Sequence, residues 1–415
     1  MQKILIEGKN KLYGKVKIGG MKNSALPIIY ATILIKDECI IKNVPRVSDV
    51  ENSLKILRNM GATAEFIDEG VVLINTKDLL PNIEDKSLVS KMRASSYLMG
   101  ALLSRFKEAS IPFPGGCNFG SRPIEQHLKG FEALGAKCSI TNEIIEIDGK
   151  NALKSNKITL DKISVGATIN MILASVCLRG VTFIENVAIE PHVDDLIFFL
   201  NKAGAKIMRY GRKIYIIGVS TLSKVRHKIY PDMIEALTYI TFLGASKGKI
   251  ELANVIPEHL SYSIEIFKEM GFIFAINNDK IVIEAPSILN GASVETNPYP
   301  LFPTDLHPQL AALMCFTVNG GQITENIFKN RFAYINELRK MGAKITQENN
   351  YVRVFPSKLI GASLDATDLR AGAALITAAL GANGKTEINN VNYIVRGYEE
   401  LVPKLSAIGG NIRII

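Results

Sequence analysis

Leu57-Arg58-Asn59-Met60-Gly61-Ala62 is a helix end followed by the start of a strand, and the same phrase recurs along the chain. It returns as Leu134-Gly135-Ala136, Ala203-Gly204-Ala205, Met270-Gly271-Phe272, Met341-Gly342-Ala343 and Ile408-Gly409-Gly410, with successive glycines 74, 69, 67, 71 and 67 residues apart. Each glycine follows an amphipathic run and precedes alternating residues such as Ala343-Lys344-Ile345-Thr346. That pattern reads as a helix C-cap leading into a strand. A second strand follows in five of the six, for example Lys213-Ile214-Tyr215-Ile216-Ile217.

The sixth repeat stops at Asn411-Ile412-Arg413-Ile414-Ile415 without that second strand, and its match is Lys3-Ile4-Leu5-Ile6-Glu7-Gly8 at the other end of the chain. The N-terminal strand is therefore expected to complete the last repeat. The division that follows is one three-repeat domain over 22–229 and a second over 1–21 with 230–415, which holds both termini.

Each repeat has a second marker. Strands end near Asn43, Asn186, Asn254, Asn326 and Asn390, and 21 or 22 residues before each Asn a helix rich in small residues begins. The heads of these helices are Lys22-Asn23, Lys162 with Ser164, Asp232, Asp305, and Asp368 with Arg370. Small residues permit close helix packing, so these helices are expected in the domain interiors. Helix N-termini carry unpaired N–H groups and partial positive charge, and several of them facing a shared cleft would suit an anionic ligand. In the second repeat the head is Arg93, and where the Asn belongs stands Cys117, in Pro112-Phe113-Pro114-Gly115-Gly116-Cys117-Asn118-Phe119-Gly120-Ser121-Arg122-Pro123. Glycine and proline there exclude regular structure, and the adjacent guanidinium favours the thiolate and attracts anions.

Bulk properties bound the function. A chain of 415 residues with 47% hydrophobic residues has material for two cores. The net charge of +9 comes from scattered lysines, with no basic block interleaved with aromatics and no Trp, which argues against nucleic acid and suits small anions. Five cysteines without a CxxC pair fit a reducing compartment, and neither a signal peptide nor an apolar run of about 18 residues is present, so a soluble cytoplasmic protein without a membrane role is expected. The histidines His127, His192, His227, His259 and His307 lack metal-ligand spacing, and Cys39, Cys138, Cys177 and Cys315 sit in apolar runs that read as packing positions.

Taken alone, Gly19-Gly20-Met21-Lys22-Asn23 is either an anion site or a solvated helix start, since GxxxxGK[ST] is absent. Asp305 is either a base or a plain N-cap. Arg46 and Arg331 recur at the same place as Arg122 and Arg396, the loop entering the second helix of a repeat, and recurrence favours a structural role for the first two. The ordered set decides among these readings. GGMKNSALP around Lys22, KMRASS at Arg93, PGGC and SRP around Cys117, Ser164-Val165-Gly166-Ala167-Thr168, FPTD ending at Asp305, NRF at Arg331, TDLRAGAAL from Thr367 and RGYE at Arg396 together resemble the UDP-N-acetylglucosamine enolpyruvyl transferases. The resemblance spans essentially the whole chain. The related 5-enolpyruvylshikimate-3-phosphate synthases share the six-repeat plan and lack PGGC.

The resemblance implies an α/β fold, a two-domain inside-out α/β barrel of six βαβαββ units, three per domain, with the active site in the cleft between them. It implies transfer of the enolpyruvyl group of phosphoenolpyruvate to the 3'-hydroxyl of UDP-N-acetylglucosamine, with no metal or other cofactor and no obligate protein partner. Cys117 is implied as general acid or as a group assisting phosphate departure, and Asp305 as the base. Lys22, Arg122 and Arg396 are implied to bind the phosphate and carboxylate of phosphoenolpyruvate. Arg93 and Arg370 are implied as supporting cations, Asp368 as an assisting carboxylate, and Asn23 beside Lys22 as a further substrate contact. Contacts to the sugar nucleotide are implied at Arg122, Pro123, Ile124, Glu125 and Gln126, at Lys162, Ile163, Ser164 and Val165, and at Ile327. The chain departs from the usual pattern at Met233, Leu237, Tyr393 and Val395. Those departures keep two alternatives in view, a paralogue with another acceptor and an idle sugar-nucleotide-binding protein.

Overall fold

A computed structural model describes residues 2–83, 85–115, 124–150 and 152–415. The helix-end glycines explain the repeat. Gly61, Gly135, Gly204, Gly271, Gly342 and Gly409 all have φ between 90 and 105°. An L side chain is strained in this region, which is why glycine returns at each of these ends. The following amide closes each helix back onto a carbonyl five residues earlier, as in Ala62 to Leu57, Ala136 to Phe131, Ala205 to Leu200, Phe272 to Phe267, Ala343 to Leu338 and Gly410 to Leu405. This Schellman closure turns the chain sharply from an outer helix into an edge strand of a sheet.

The asparagines solve a different problem. Asn43, Asn186, Asn254 and Asn390 have φ of 56–59°, which Asn tolerates better than other side chains. Each amide nitrogen donates to the carbonyl just past the end of a neighbouring parallel strand, at Ile229, Leu160, Ile18 and Ala366 respectively. A polar turn residue, half-buried at Asn43, Asn186 and Asn254, thereby ties two strand ends together. Asn326 does not adopt the left-handed conformation.

Five sheets have four strands, and among the described residues the sheet of the second repeat has three. Every four-stranded sheet combines one parallel pair with antiparallel pairings, and in four of the five the two outer antiparallel strands form a hairpin. The N-terminal strand Ile4–Glu7 lies between Lys385–Asn389 and Asn411–Ile414, antiparallel to both, with Ile4 opposite Ile388 and Ile414. It completes the sixth repeat as its sequence match requires. Two further exchanges were not legible in the repeat pattern. Leu12–Lys17 pairs in parallel with Gly248–Ala253 of the fourth repeat. Val225–Lys228 pairs in parallel with Glu38–Lys42 of the first.

The described residues divide into two compact units, one formed by residues 2–19 and 231–415, the other by those between 20 and 230. In the first, helices Met233–Ser246, His307–Met314 and Leu369–Gly381 pack together and are buried at nearly every position. In the second, Tyr97–Phe106 packs against both Lys22–Ala31 and Val165–Ser175, and the three are buried over most of their length. The sheets and outer helices surround these helices, which reverses the usual barrel order of strands within and helices without. The small residues permit this placement: a Cβ at Gly100 would come within 2.5 Å of the Asn170 carbonyl oxygen on the facing helix.

Candidate active site

The heads of the buried helices separate into two kinds. Ser164, Asp232 and Asp368 are true N-caps. Ser164 Oγ accepts from Ala167 N at 3.3 Å. Asp232 Oδ1 accepts from Ile234 N and Glu235 N at 2.8 and 3.1 Å. Asp368 Oδ1 accepts from Arg370 N and Ala371 N at 2.8 and 3.0 Å. In Asp368 the cap also fixes the backbone from which the Arg370 side chain projects.

Asp305 belongs to the other kind. It lies in a 3-10 turn, Thr304–Leu306, leading into His307–Met314, and no side chain caps that helix. Its Oδ1 accepts from Arg331 Nη1 at 2.7 Å and its Oδ2 from Arg370 Nη2 at 2.9 Å. The plain N-cap reading of Asp305 is therefore excluded, and a carboxylate held by two guanidiniums replaces it. Burial raises the pKa of Asp305, but Arg370 and Arg331 outweigh it and hold the group well below the usual carboxylate range. The Arg370 guanidinium is held firmly charged: burial acts against its charge, and Tyr398 and Asp305 more than offset this.

About a quarter of the Asp305 side chain, 26%, stays exposed, whereas Arg331 and Arg370 are 5% and 7% exposed. The cations are fixed from behind and the carboxylate is reachable. Tyr398 continues the network, its hydroxyl accepting from Arg370 Nη1 at 3.0 Å and lying 3.0 Å from Thr238 Oγ1. Gln309 Nε2 donates to the Asp305 carbonyl at 3.0 Å. Arg396 follows the short helix Asn392–Val395 in the segment that carries Tyr398.

Two members of this cluster lie beyond the sequence expectation. Arg331, expected as a structural repeat residue, pairs with Asp305 directly. In RGYE the sequence points to Arg396, and the structure adds Tyr398 through its bond from Arg370. The sequence signal available for Tyr398 was an aromatic next to the Gly397 turn.

In the other unit, Lys22 opens the helix Lys22–Ala31 and its Nζ pairs with the buried Asp49 Oδ2 at 3.1 Å, so this lysine is anchored rather than solvated. Asn23 follows it in the same first turn. Arg93 opens the 3-10 turn Arg93–Ser96 ahead of Tyr97–Phe106 and lies near enough to His127 for its charge to act on that ring. Ile124 precedes the helix that begins at Glu125, and Gln126 Oε1 accepts from Lys162 N at 3.2 Å. The two implied nucleotide segments, 124–126 and 162–165, are thereby brought together. Ile327 is 38% exposed on the first unit, with its N–H engaged by Glu325. Cys117, Arg122 and Pro123 lie outside the described residues.

The remaining thiols contrast with a reactive one. Cys39 and Cys315 are buried, and Cys138 and Cys177 are half-buried rather than fully enclosed as their apolar runs implied. Burial pushes the thiols of Cys39, Cys138 and Cys315 up to about 12 and raises that of Cys177. Among the described residues no group of His, Cys, Asp and Glu could hold a metal ion, and no helix is long and apolar enough to cross a membrane.

The class of protein with this six-unit fold is the enolpyruvyl transferases. The enolpyruvyl transferase NikO from Streptomyces tendae superposes with a TM-score of 0.90 at 24% identity, covering 100% of this chain and 99% of that one. EPSP synthase from Acinetobacter baumannii does so with a TM-score of 0.76 at 18% identity, each chain fully covered. The chain belongs to the EPSP synthase (3-phosphoshikimate 1-carboxyvinyltransferase) family, whose model matches residues 6–405. Within it, the chain is 44% identical over 414 residues to UDP-N-acetylglucosamine 1-carboxyvinyltransferase of Halothermothrix orenii, covering 100% of this chain and 99% of the relative. It is 41% identical over 419 residues to the protein of the same name from Finegoldia magna, covering 100% and 99%.

Proposed function

We propose that this chain transfers the enolpyruvyl group of phosphoenolpyruvate to the 3'-hydroxyl of UDP-N-acetylglucosamine, the first committed step of peptidoglycan precursor synthesis. The observation that carries the reading is the two-arginine clamp on a reachable Asp305, in a chain with full-length relatives of that name. The hydroxyl oxygen adds to C2 of phosphoenolpyruvate while a proton is added at C3, giving a tetrahedral intermediate. Loss of phosphate from C2 and of a proton from C3 then restores the double bond. Asp305 takes the hydroxyl proton, and Cys117 serves as general acid or assists phosphate departure. Lys22, Arg122 and Arg396 bind the phosphate and carboxylate, with Arg93 and Arg370 as supporting cations and Asp368 fixing the backbone at Arg370.

A carboxylate paired with two guanidiniums is a weak base. The negative charge of an anionic donor bound beside the clamp offsets the two guanidiniums and gives Asp305 a greater affinity for the hydroxyl proton. The resting clamp thus keeps the base quiet until the donor is bound. The unpaired state of the four described cysteines supports a reducing cytoplasmic setting.

The direct test is phosphate release from phosphoenolpyruvate with and without UDP-N-acetylglucosamine. Release is expected only with that acceptor, and acceptor-independent release, or none at all, removes the proposal. A second expectation concerns the thiols. An epoxide mimic of phosphoenolpyruvate should label Cys117, because the other four cysteines are held as unreactive thiols. Peptide mapping that places the label on Cys39 or Cys315 would take Cys117 out of its role.

A further inference from the structure

The fifth repeat breaks the asparagine rule, and Glu325 takes over the work. Where four repeats join strand ends through a left-handed Asn, here the preceding residue, the last of strand Gly321–Glu325, turns its carboxylate inward. Glu325 is 3% exposed, and both its oxygens are filled by donors. Oε1 accepts from Thr296 Oγ1 at 2.8 Å, Ile327 N at 2.9 Å and Phe328 N at 3.0 Å. Oε2 accepts from Thr304 Oγ1 at 2.9 Å and lies 2.8 Å from His307 Nδ1.

The roles at His307 are fixed by its neighbours. A carboxylate only accepts, so Nδ1 carries the proton, and Nε2 accepts from Tyr334 Oη at 2.8 Å. Burial raises the pKa of Glu325, but the bonds from His307 and from the Phe328 and Ile327 amides prevail and keep it ionised.

The two oxygens serve different segments. Oε1 organises the loop that presents Ile327. Oε2 holds Thr304, the neighbour of Asp305, and Thr304 Oγ1 also accepts from Arg331 Nη1 at 3.2 Å. The same Arg331 nitrogen donates to Asp305, and its guanidinium lies 4.7 Å from the centre of the Phe328 ring. Glu325 therefore joins the turn carrying the proposed base to the loop carrying the proposed sugar-nucleotide contact.

We infer that Glu325 is a positioning residue for the acceptor, holding the Asp305 turn and the Ile327 backbone in one frame so that the 3'-hydroxyl is bound and deprotonated in register. The inference rests on the function proposed above for Asp305 and Ile327. It concerns the acceptor, since the contacts of Glu325 run to the Asp305 turn and the Ile327 loop.

A glutamine has one acceptor oxygen and cannot satisfy five donors, so Glu325→Gln must release one of the two arms. The test is steady-state kinetics of phosphate release for the wild-type protein, Glu325→Gln and Thr304→Val, with thermal unfolding of each. For Glu325→Gln, KM for UDP-N-acetylglucosamine should rise and kcat fall, each by about tenfold, while KM for phosphoenolpyruvate stays within about twofold. Thr304→Val cuts only the Asp305 arm, and should lower kcat with the acceptor KM near wild type. A merely structural role would lower the unfolding temperature without this division between substrates. A folded Glu325→Gln with wild-type constants, or with equal losses for both substrates, overturns the inference. Should Glu325→Gln not fold, wild-type kcat in Thr304→Val overturns it instead. A wild-type protein without acceptor-dependent release shows the underlying function to be wrong, and the inference falls with it.

Discussion

Replacing Asp305 with Asn should lower kcat by about a thousandfold, the usual scale for removing a positioned general base. The amide has nearly the same shape and can still accept from one guanidinium, but its NH2 group then meets the other donor to donor, so thermal unfolding of the variant is measured beside its turnover. What the amide cannot do is take the hydroxyl proton. Arg331 and Arg370 give a second readout. They hold the carboxylate well below its usual range, so Arg370→Met should raise the pKa of the free enzyme's Asp305 and shift the acidic limb of kcat/KM to higher pH. The sign follows from linkage: removing a cation that favours the charged form makes protonation easier, and more of the enzyme is in the inactive acid form at a given low pH. An Asp305→Asn protein that folds normally and keeps more than about a tenth of wild-type turnover would show that another group is the base.

The second large effect is on stability. His127 is buried, and its Nδ1 lies 2.8 Å from Asn170 Nδ2. The Asn170 Oδ1 accepts from Gly100 N at 2.8 Å, which leaves the amide nitrogen as the group facing the ring. Nδ1 must therefore accept, and protonating it would set two donors against each other. Burial, with the nearby Arg93 charge, lowers the His127 pKa to about 3.

An unfolded histidine titrates near about 6.5. Below that value the unfolded chain gains a proton that the folded chain refuses. Stability is thus complete above the unfolded pKa and is lost as pH falls toward the folded one, by at most roughly 1.4 kcal/mol per pH unit. His127→Asn keeps an acceptor near the Nδ1 position and removes the titration. Urea unfolding between pH 7.5 and 4.5, a range of about three units, should show a shallower pH slope for this variant than for wild type. Parallel slopes would mean that the ring protonates in the folded state. His307 adds to the same trend, because burial also lowers its pKa.

The repeat was legible because it depends on local backbone chemistry. A Schellman closure needs glycine at one position, and a left-handed strand end favours Asn, so Gly61 and Asn43 announce their conformations without reference to the rest of the chain. The same locality explains what was missed. The helix-head position of Asp305 alone does not separate base from cap, and only the FPTD motif within the ordered set favours the base; the partners that exclude the cap, Arg331 and Arg370, are 26 and 65 residues away. Glu325 looks like an ordinary strand-end residue until Thr296, Thr304 and His307 are folded against it.

By itself, the sequence determined the six-unit plan, the buried small-residue helices and the pairing of the N-terminal strand with the last repeat, all carried by short-range patterns. Only the tertiary structure decided which distant strands complete the sheets of the first and fourth repeats, because parallel pairing joins strands remote in sequence and leaves no local mark. It alone also decided that Asp305 is a clamped carboxylate and that Glu325 ties its turn to the Ile327 loop. A buried charge is defined by the partners that surround it, and those partners converge only when the chain has folded.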